Sequence, residues 1–405
     1  MKILIVIFIF LIFSCKEKTT PNYQAEIDQN SAINDVIKDT AIQNAQVIAI
    51  GEASHGISEF QTLRRDLFWE LQRKLGFNAI FLEAGYAECF RIDQYIKNNT
   101  KTSLKVLLDS LDYYPWRSQE MINFVEELRV HNISHGNELS FYGVDMQFVG
   151  QAIFLLKQVV DIRKDLFSNE QIRLVNSLSE ESIFNEDIQS ELSLLVTHIL
   201  KIIDSDSLDA YDKMLLYNFQ IIEQYISLEQ KDDENIRDQS MAQNLLFVLK
   251  IHPESKAILI AHNGHIAKSI QDDDYKPIGY HLKNELLHKY FALGTECGIG
   301  SFIAANPKLF KKDTINYFQI FSFSKLDKGS FPYLLSKVTK DKPEYYLNSK
   351  QINSFSALLR ATDLLGVHET NQRNYWKIIP KDYYDGVYYF SSVSPLNLYF
   401  VKLKY

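Results

Sequence analysis

Glu52 and His55 lie three residues apart, just beyond the apolar run Val47-Ile48-Ala49-Ile50 and the glycine that ends it. A short apolar run, rich in β-branched residues, that stops at glycine reads as a buried strand, so the carboxylate and the imidazole stand where a strand ends. The same arrangement recurs. Ala79-Ile80-Phe81-Leu82 ends in Glu83, Leu139 to Val144 ends in Asp145, and Ala257 to Ala261 ends in His262-Asn263-Gly264-His265. An imidazole titrates nearest neutrality of all side chains, and proton transfer by a positioned base contributes roughly 10²–10⁴-fold to a rate. A carboxylate on its second ring nitrogen fixes the tautomer and raises basicity. No Gly-x-Ser-x-Gly elbow is present, which disfavours a serine nucleophile and leaves direct attack by water as the simpler chemistry.

These groups act together only if the strands align. In an open parallel sheet, ligands bind beyond the carboxyl ends of the strands, and the periodicity predicts such a sheet. From Ser58 to Leu75, Phe60, Leu63, Leu67, Phe68 and Leu71 recur at helical spacing, and Gly76 stops the helix. Arg64 shares that buried side and needs a carboxylate, Glu52 or Glu83. Helices are expected at Glu26–Gln46, Tyr86–Lys97, Ser103–Leu111 and Ser118–Asn132, so strands and helices alternate. The alternation then breaks into purely helical patterning: Ile153–Val160, Ile172–Leu178, Ile188–Ile203, Tyr211–Leu228 and Ile236–Leu249. The acidic runs Asp204–Ser207 and Lys231–Glu234 read as solvated turns between these helices, not calcium sites. The sheet resumes at Lys256–Ala261, with further strands at Tyr290–Thr295, Thr314–Phe321 and Val387–Val393. Helices are expected at Ile278–Lys289, Tyr333–Val338 and Ser354–Ala361.

The expected fold is therefore α/β: a mostly parallel central sheet flanked by helices, with an inserted all-helical subdomain. Residues 26–150 and 252–405 form the α/β catalytic domain, and residues 151–251 form a helical insert that roofs the crevice as a lid. At 405 residues the chain has ample material for a core, and a formal net charge of −8 without a basic cluster argues against a nucleic-acid partner.

Lys2 precedes an apolar run from Ile3 to Phe13, too short to span a bilayer but fitting a signal-peptide core. Its end, Ile12-Phe13-Ser14-Cys15, resembles a lipobox. That resemblance implies a signal peptide over 1–14, lipidation of Cys15, a tether over 15–25, and an extracytoplasmic, membrane-anchored place in the cell envelope. Only Cys89 and Cys297 remain; they read as buried apolar residues, with their pairing left open.

Taken with Phe81-Leu82-Glu83-Ala84, Gly143-Val144-Asp145 and His262-Asn263-Gly264-His265, the run Gly51-Glu52-Ala53-Ser54-His55-Gly56 resembles the erythromycin esterase family. Arg237-Asp238 with Met241-Ala242 and Asn244, and the late Tyr384-Asp385-Gly386, belong to the same pattern. The resemblance implies hydrolysis of an ester or lactone, macrolides among them, without a metal or other cofactor. His55 would be the general base. Glu52, Arg64 and Glu83 would orient water and balance charge, while His262 and His265 would assist at the carbonyl or leaving oxygen.

Plainer readings stand beside these. Glu52 and His55 could cap the following helix, a role for which Ser54 is better suited. Arg64 could be a simple buried ion-pair partner, Asp145 a framework residue, and Arg237-Asp238 a structural pair. A metal-dependent hydrolase or peptidase of the Tiki-like superfamily would use the same acids and histidines as ligands, against which Arg64 would repel a divalent cation. A lipid-anchored binding protein that performs no chemistry is a third reading, for which so many acids and bases are not needed.

Overall fold

The strands at the centre of the sheet begin as apolar runs because both their faces are covered. Along β1 (Val47–Ile50) and β2 (Ala79–Gly85) every residue is buried, as expected of parallel strands sandwiched between helices. The alternating side chains serve two separate cores. Val47, Ala49, Phe81, Ala257 and Leu259 face one core, while Ile48, Ile50, Ile80, Leu82, Ile258 and Ile260 face the other.

The computed structural model describes residues 32–400 apart from 112, 206–207, 232, 272–273, 310–316, 341 and 365–366. The expected signal peptide, the tether and Cys15 lie outside the described residues. The remaining strands are β3 (Ser140–Asp145), β4 (Ala257–Ile260), β5 (Tyr290–Ala305), β6 (Phe318–Phe323), β7 (Glu344–Leu347), β8 (Leu359–Thr362), β9 (Tyr375–Ile378) and β10 (Gly386–Val393). The main sheet runs in the order β3-β2-β4-β1-β5-β10-β7. All neighbours from β3 to β10 are parallel, β7 closes the edge antiparallel, and β6 pairs antiparallel with the outer half of β5. The fold is thus the mixed α/β architecture with a mostly parallel sheet that the periodicity predicts.

Between β3 and β4 stand the helices Gly150–Ile162, Asn169–Ser177, Glu186–Ile203, Ala210–Leu216, Asn218–Lys231 and Glu234–Ile251. Their apolar sides, including Leu192, Ile199, Phe219, Ile222 and Leu245, join the same core as one face of the sheet. Glu234–Ile251 lies against β3, which brings its first turns to the strand ends.

Local departures have local reasons. The single helix expected over Tyr211–Leu228 is two, broken at Tyr217. Asp39 interrupts the expected first helix by accepting a hydrogen bond from the Ala41 N–H. The strand expected at Tyr290–Thr295 continues to Ala305. Residues 354–361, expected as a helix, instead lead into β8, which pairs antiparallel with β9 and docks Thr362 on the buried Glu296. Cys89 and Cys297 are both buried and free. Among the described residues no helix is long and apolar enough to cross a membrane.

Candidate active site

The turn after β1 is built around two close approaches. A Cβ on Gly51 would lie 2.1 Å from Asn263 Oδ1, and one on Gly56 would lie 1.8 Å from the Ile303 carbonyl oxygen. Neither position has room for a side chain. Asn263 in turn clamps β5, accepting from the Thr295 N–H and donating to its carbonyl. Glu52 and His55 are thereby presented from a turn wedged between β4 and β5.

His55 Nδ1 lies 2.5 Å from Glu52 Oε1, and both residues are buried. With Nδ1–H donating to the carboxylate, the lone pair sits on Nε2, the geometry a general base requires. Arg64 lies 2.8 Å from Glu52 Oε2, off the line of a hydrogen bond. Its guanidinium neutralises the carboxylate from behind and sits 5.8 Å from the centre of the Trp116 ring. The N-terminus of the Ser58–Leu75 helix takes no side-chain cap; Ser54 Oγ accepts from the Gly56 N–H instead. Capping therefore accounts for neither Glu52 nor His55.

Glu83, at the end of β2, gathers a second group. Its Oε2 accepts from the His262 backbone N–H at 2.7 Å, and Oε1 lies 3.2 Å from Arg237 Nη2 and 3.3 Å from His265 Nε2. Burial pushes the carboxyl up, but the charge and hydrogen bond of His265 and the charge of Arg237 overcome it and hold Glu83 well below the usual range. Asp145 accepts from Arg237 at 2.7 Å and 3.2 Å.

Across from Glu83, His265 Nδ1 lies 2.9 Å from Asp238 Oδ1. Asp238 also accepts from the Tyr275 hydroxyl at 2.5 Å and from the Ile278 N–H at 2.7 Å. Burial opposes the charged ring and Arg237 Nη1 is only 3.3 Å away, yet the two carboxylates prevail and His265 is pushed up to about 10. It is an imidazolium at neutral pH.

His262 is the opposite case. Its Nδ1 accepts from the Gly264 N–H at 3.2 Å, so the ring proton sits on Nε2. Burial and the His55 charge push it well below the ordinary histidine range, so it stays neutral. His262 and His55 face each other at 5.0 Å between ring centres. Nε2 of His262 has no hydrogen-bond partner among the described residues and lies 3.7 Å from Asp363 Oδ1.

The three histidines, Glu83, Asp145 and Arg237 all line one cavity of about 270 Å³. Leu111, Tyr113 and Phe148 supply its apolar wall, and Glu88 lies at its side. All the strand-end acids and histidines singled out in the sequence meet here; Glu52 and Arg64 stand directly behind His55. Arg237 and Asp238, read from the sequence as a structural pair, turn their hydrogen bonds to different groups of the site. Consecutive residues on a helix point about 100° apart, so Arg237 turns to Asp145 and Glu83 while Asp238 turns to His265. Asp145 likewise belongs to the cavity wall. Tyr113, Tyr275 and Asp363 escape a reading of the sequence because each lies in an irregular segment that tertiary pairing alone brings here. Among the described residues no group of three or more His, Cys, Asp or Glu side chains is arranged to hold a metal ion.

The family model for erythromycin esterase matches residues 73–393, a span that includes Glu83, Asp145, Arg237, His262, His265 and Asp363 and begins after His55. An erythromycin esterase type II of Escherichia coli is 27% identical over 325 residues, covering 70% of this chain and 75% of that protein. An erythromycin esterase type I of the same organism is 23% identical over 293 residues, covering 62% and 70%. Among solved structures, an erythromycin esterase mutant in its open conformation superposes with a TM-score of 0.65 at 15% identity, covering 91% of this chain and 95% of that one. That likeness is one of fold.

Proposed function

The chain belongs to the erythromycin esterase family, and from that premise we propose that it cleaves a carboxylic ester or macrolactone with a water molecule activated by His55, without a metal ion. The family supports a hydrolase of the esterase type acting on a small molecule. The single observation behind the mechanism is His55 locked through Nδ1 on Glu52 while its ring lines the cavity.

In this reading water gives a proton to His55 Nε2 as its oxygen bonds the acyl carbon. The His262 Nε2–H, kept neutral and without an acceptor of its own, donates to the carbonyl oxygen as negative charge develops there. The acyl C–O bond then breaks, and the leaving alkoxide takes the proton from His55, giving one acid and one alcohol. Arg237 and the His265 imidazolium keep Glu83 and Asp145 compensated, so the acids hold shape rather than seek a cation. Two guanidinium groups and an imidazolium around the strand ends support a metal-independent site over a metal-dependent one. Arg237, at the start of Glu234–Ile251, supports the helical segment as a wall and lid of the pocket.

The test is to treat the protein with a chelator, offer erythromycin and a panel of simpler esters, and follow the addition of one water by mass spectrometry. Hydrolysis that survives chelation supports the reading; hydrolysis restored only by zinc or manganese overturns it. Attachment to the membrane through a lipid on Cys15 is part of the same proposal, supported by the Ile12–Cys15 sequence. Incorporation of labelled palmitate that persists in Cys15→Ser would contradict it.

A further inference from the structure

Tyr113 stands against His55 without spending its own polar group. The two rings meet edge to face, 4.9 Å between centres and 82° between planes, and both line the cavity. The segment that carries Tyr113 is fastened through its neighbours. The Tyr114 hydroxyl donates to the Ile303 carbonyl at 3.2 Å, the Trp116 indole N–H to the Glu83 carbonyl at 3.0 Å, and Arg117 to the Leu111 carbonyl at 2.9 Å. A single 3-10 turn, Tyr114–Trp116 with Pro115 inside it, closes when the Trp116 N–H returns to the Tyr113 carbonyl at 3.3 Å.

The polar side chains on either side of Tyr113's ring are therefore bound to backbone on β5, on β2 and within the segment itself. The Tyr113 hydroxyl makes no hydrogen bond among the described residues. A phenylalanine would pack on His55 equally well, so packing does not account for the hydroxyl. Since it does not donate to the His55 ring, the Nε2 lone pair is left open for water.

Water held by Nε2 lies about 3 Å from it, and the acyl carbon under attack about 3 Å further on. The acyl oxygen of a bound ester consequently falls among the side chains that flank the base. We propose that Tyr113 is a further catalytic residue of the esterase reaction: its O–H donates a hydrogen bond to the acyl oxygen as negative charge gathers there. This rests on the esterase reading with His55 as the base.

As the water oxygen bonds the acyl carbon, the carbonyl π pair moves onto the oxygen, and the Tyr113 O–H stabilises it without releasing its proton. When that pair returns, the bond to the alcohol oxygen breaks and the leaving oxygen takes the proton held by His55. Enclosure in the cavity wall, then Glu83, Tyr114 and Glu52, push the Tyr113 phenol well above its ordinary value against the pull of Arg237, so it remains a donor.

The experiment measures steady-state hydrolysis of p-nitrophenyl acetate and ethyl acetate by the full chain, as parent, Tyr113→Phe and His55→Ala. Tyr113→Phe removes one oxygen and keeps the ring on His55, so its melting temperature should match the parent's. Its kcat should fall by roughly 10²–10³-fold with KM changed far less. The factor should be similar for both esters, because p-nitrophenolate leaves without a proton whereas ethoxide needs one. A parent-like kcat in Tyr113→Phe overturns the proposal, and so does a fall confined to ethyl acetate, which would move the hydroxyl to the leaving oxygen. Turnover retained in His55→Ala would instead remove the base on which the proposal rests, so the two failures are told apart.

Discussion

Asp238 Oδ1 lies 2.9 Å from His265 Nδ1, inside a pocket where the ring also meets Glu83. The folded protein holds this histidine protonated up to about 10, against an ordinary value of 6.5. Because the folded state binds the proton more tightly, its contribution to stability is complete below about pH 6.5 and is lost as pH rises through about 10. In Asp238→Asn the ring keeps only one carboxylate, so the fall in Tm between pH 7 and 10 should be clearly smaller than in the parent. Parallel melting curves across that range would contradict the assignment.

Arg237 stands between two buried carboxylates. Replacing it with glutamine leaves Asp145 without its cation, and breaking a buried pair from one side costs roughly 3–5 kcal/mol. Urea unfolding of Arg237→Gln should show a loss of that order, and adding Asp145→Asn should recover part of it. A single variant as stable as the parent would mean that the bridge is slack.

Glu52 sets the tautomer of the proposed base. Glu52→Gln should lower kcat by roughly 10²–10⁴-fold with KM changed far less, since the group acts on the reacting proton and not on substrate binding. Steady-state kinetics on whichever ester is turned over would check this. An effect on KM alone would place Glu52 outside the chemistry.

At Gly51 the limit is steric. A methyl group there meets Asn263 Oδ1 at 2.1 Å, and Asn263 cannot yield without releasing Thr295. Gly51→Ala should cost about 1–3 kcal/mol in unfolding free energy. A variant of unchanged stability would show that the turn relaxes freely.

How much of this can be read from the sequence depends on range. The strand ends at Glu52, Glu83, Asp145 and His262 are legible because fully buried parallel strands are short apolar runs, and the residues just beyond them fall at one edge of the sheet. Arg64 is legible as a charge on an otherwise apolar helix side. Arg237 and Asp238 read as a pair because adjacency in sequence hides the 100° turn between them. β8 is hidden because Leu359-Arg360-Ala361-Thr362 is only four residues long, too short for its alternation to stand out, and only its pairing with Tyr375–Ile378 and the hold of Glu296 on Thr362 make it a strand. Asp363 depends on that hairpin, so nothing local marks it.

The most direct measurement is hydrolysis in ¹⁸O-enriched water, by chelator-treated parent protein and by His55→Ala, with erythromycin and simple esters as substrates. The parent should give an acid product carrying one ¹⁸O, and the variant, folded by its circular dichroism, should form it at least about 10²-fold more slowly. Turnover by His55→Ala at the parent rate, or activity that vanishes with chelation and returns with added metal, would contradict a histidine-activated water.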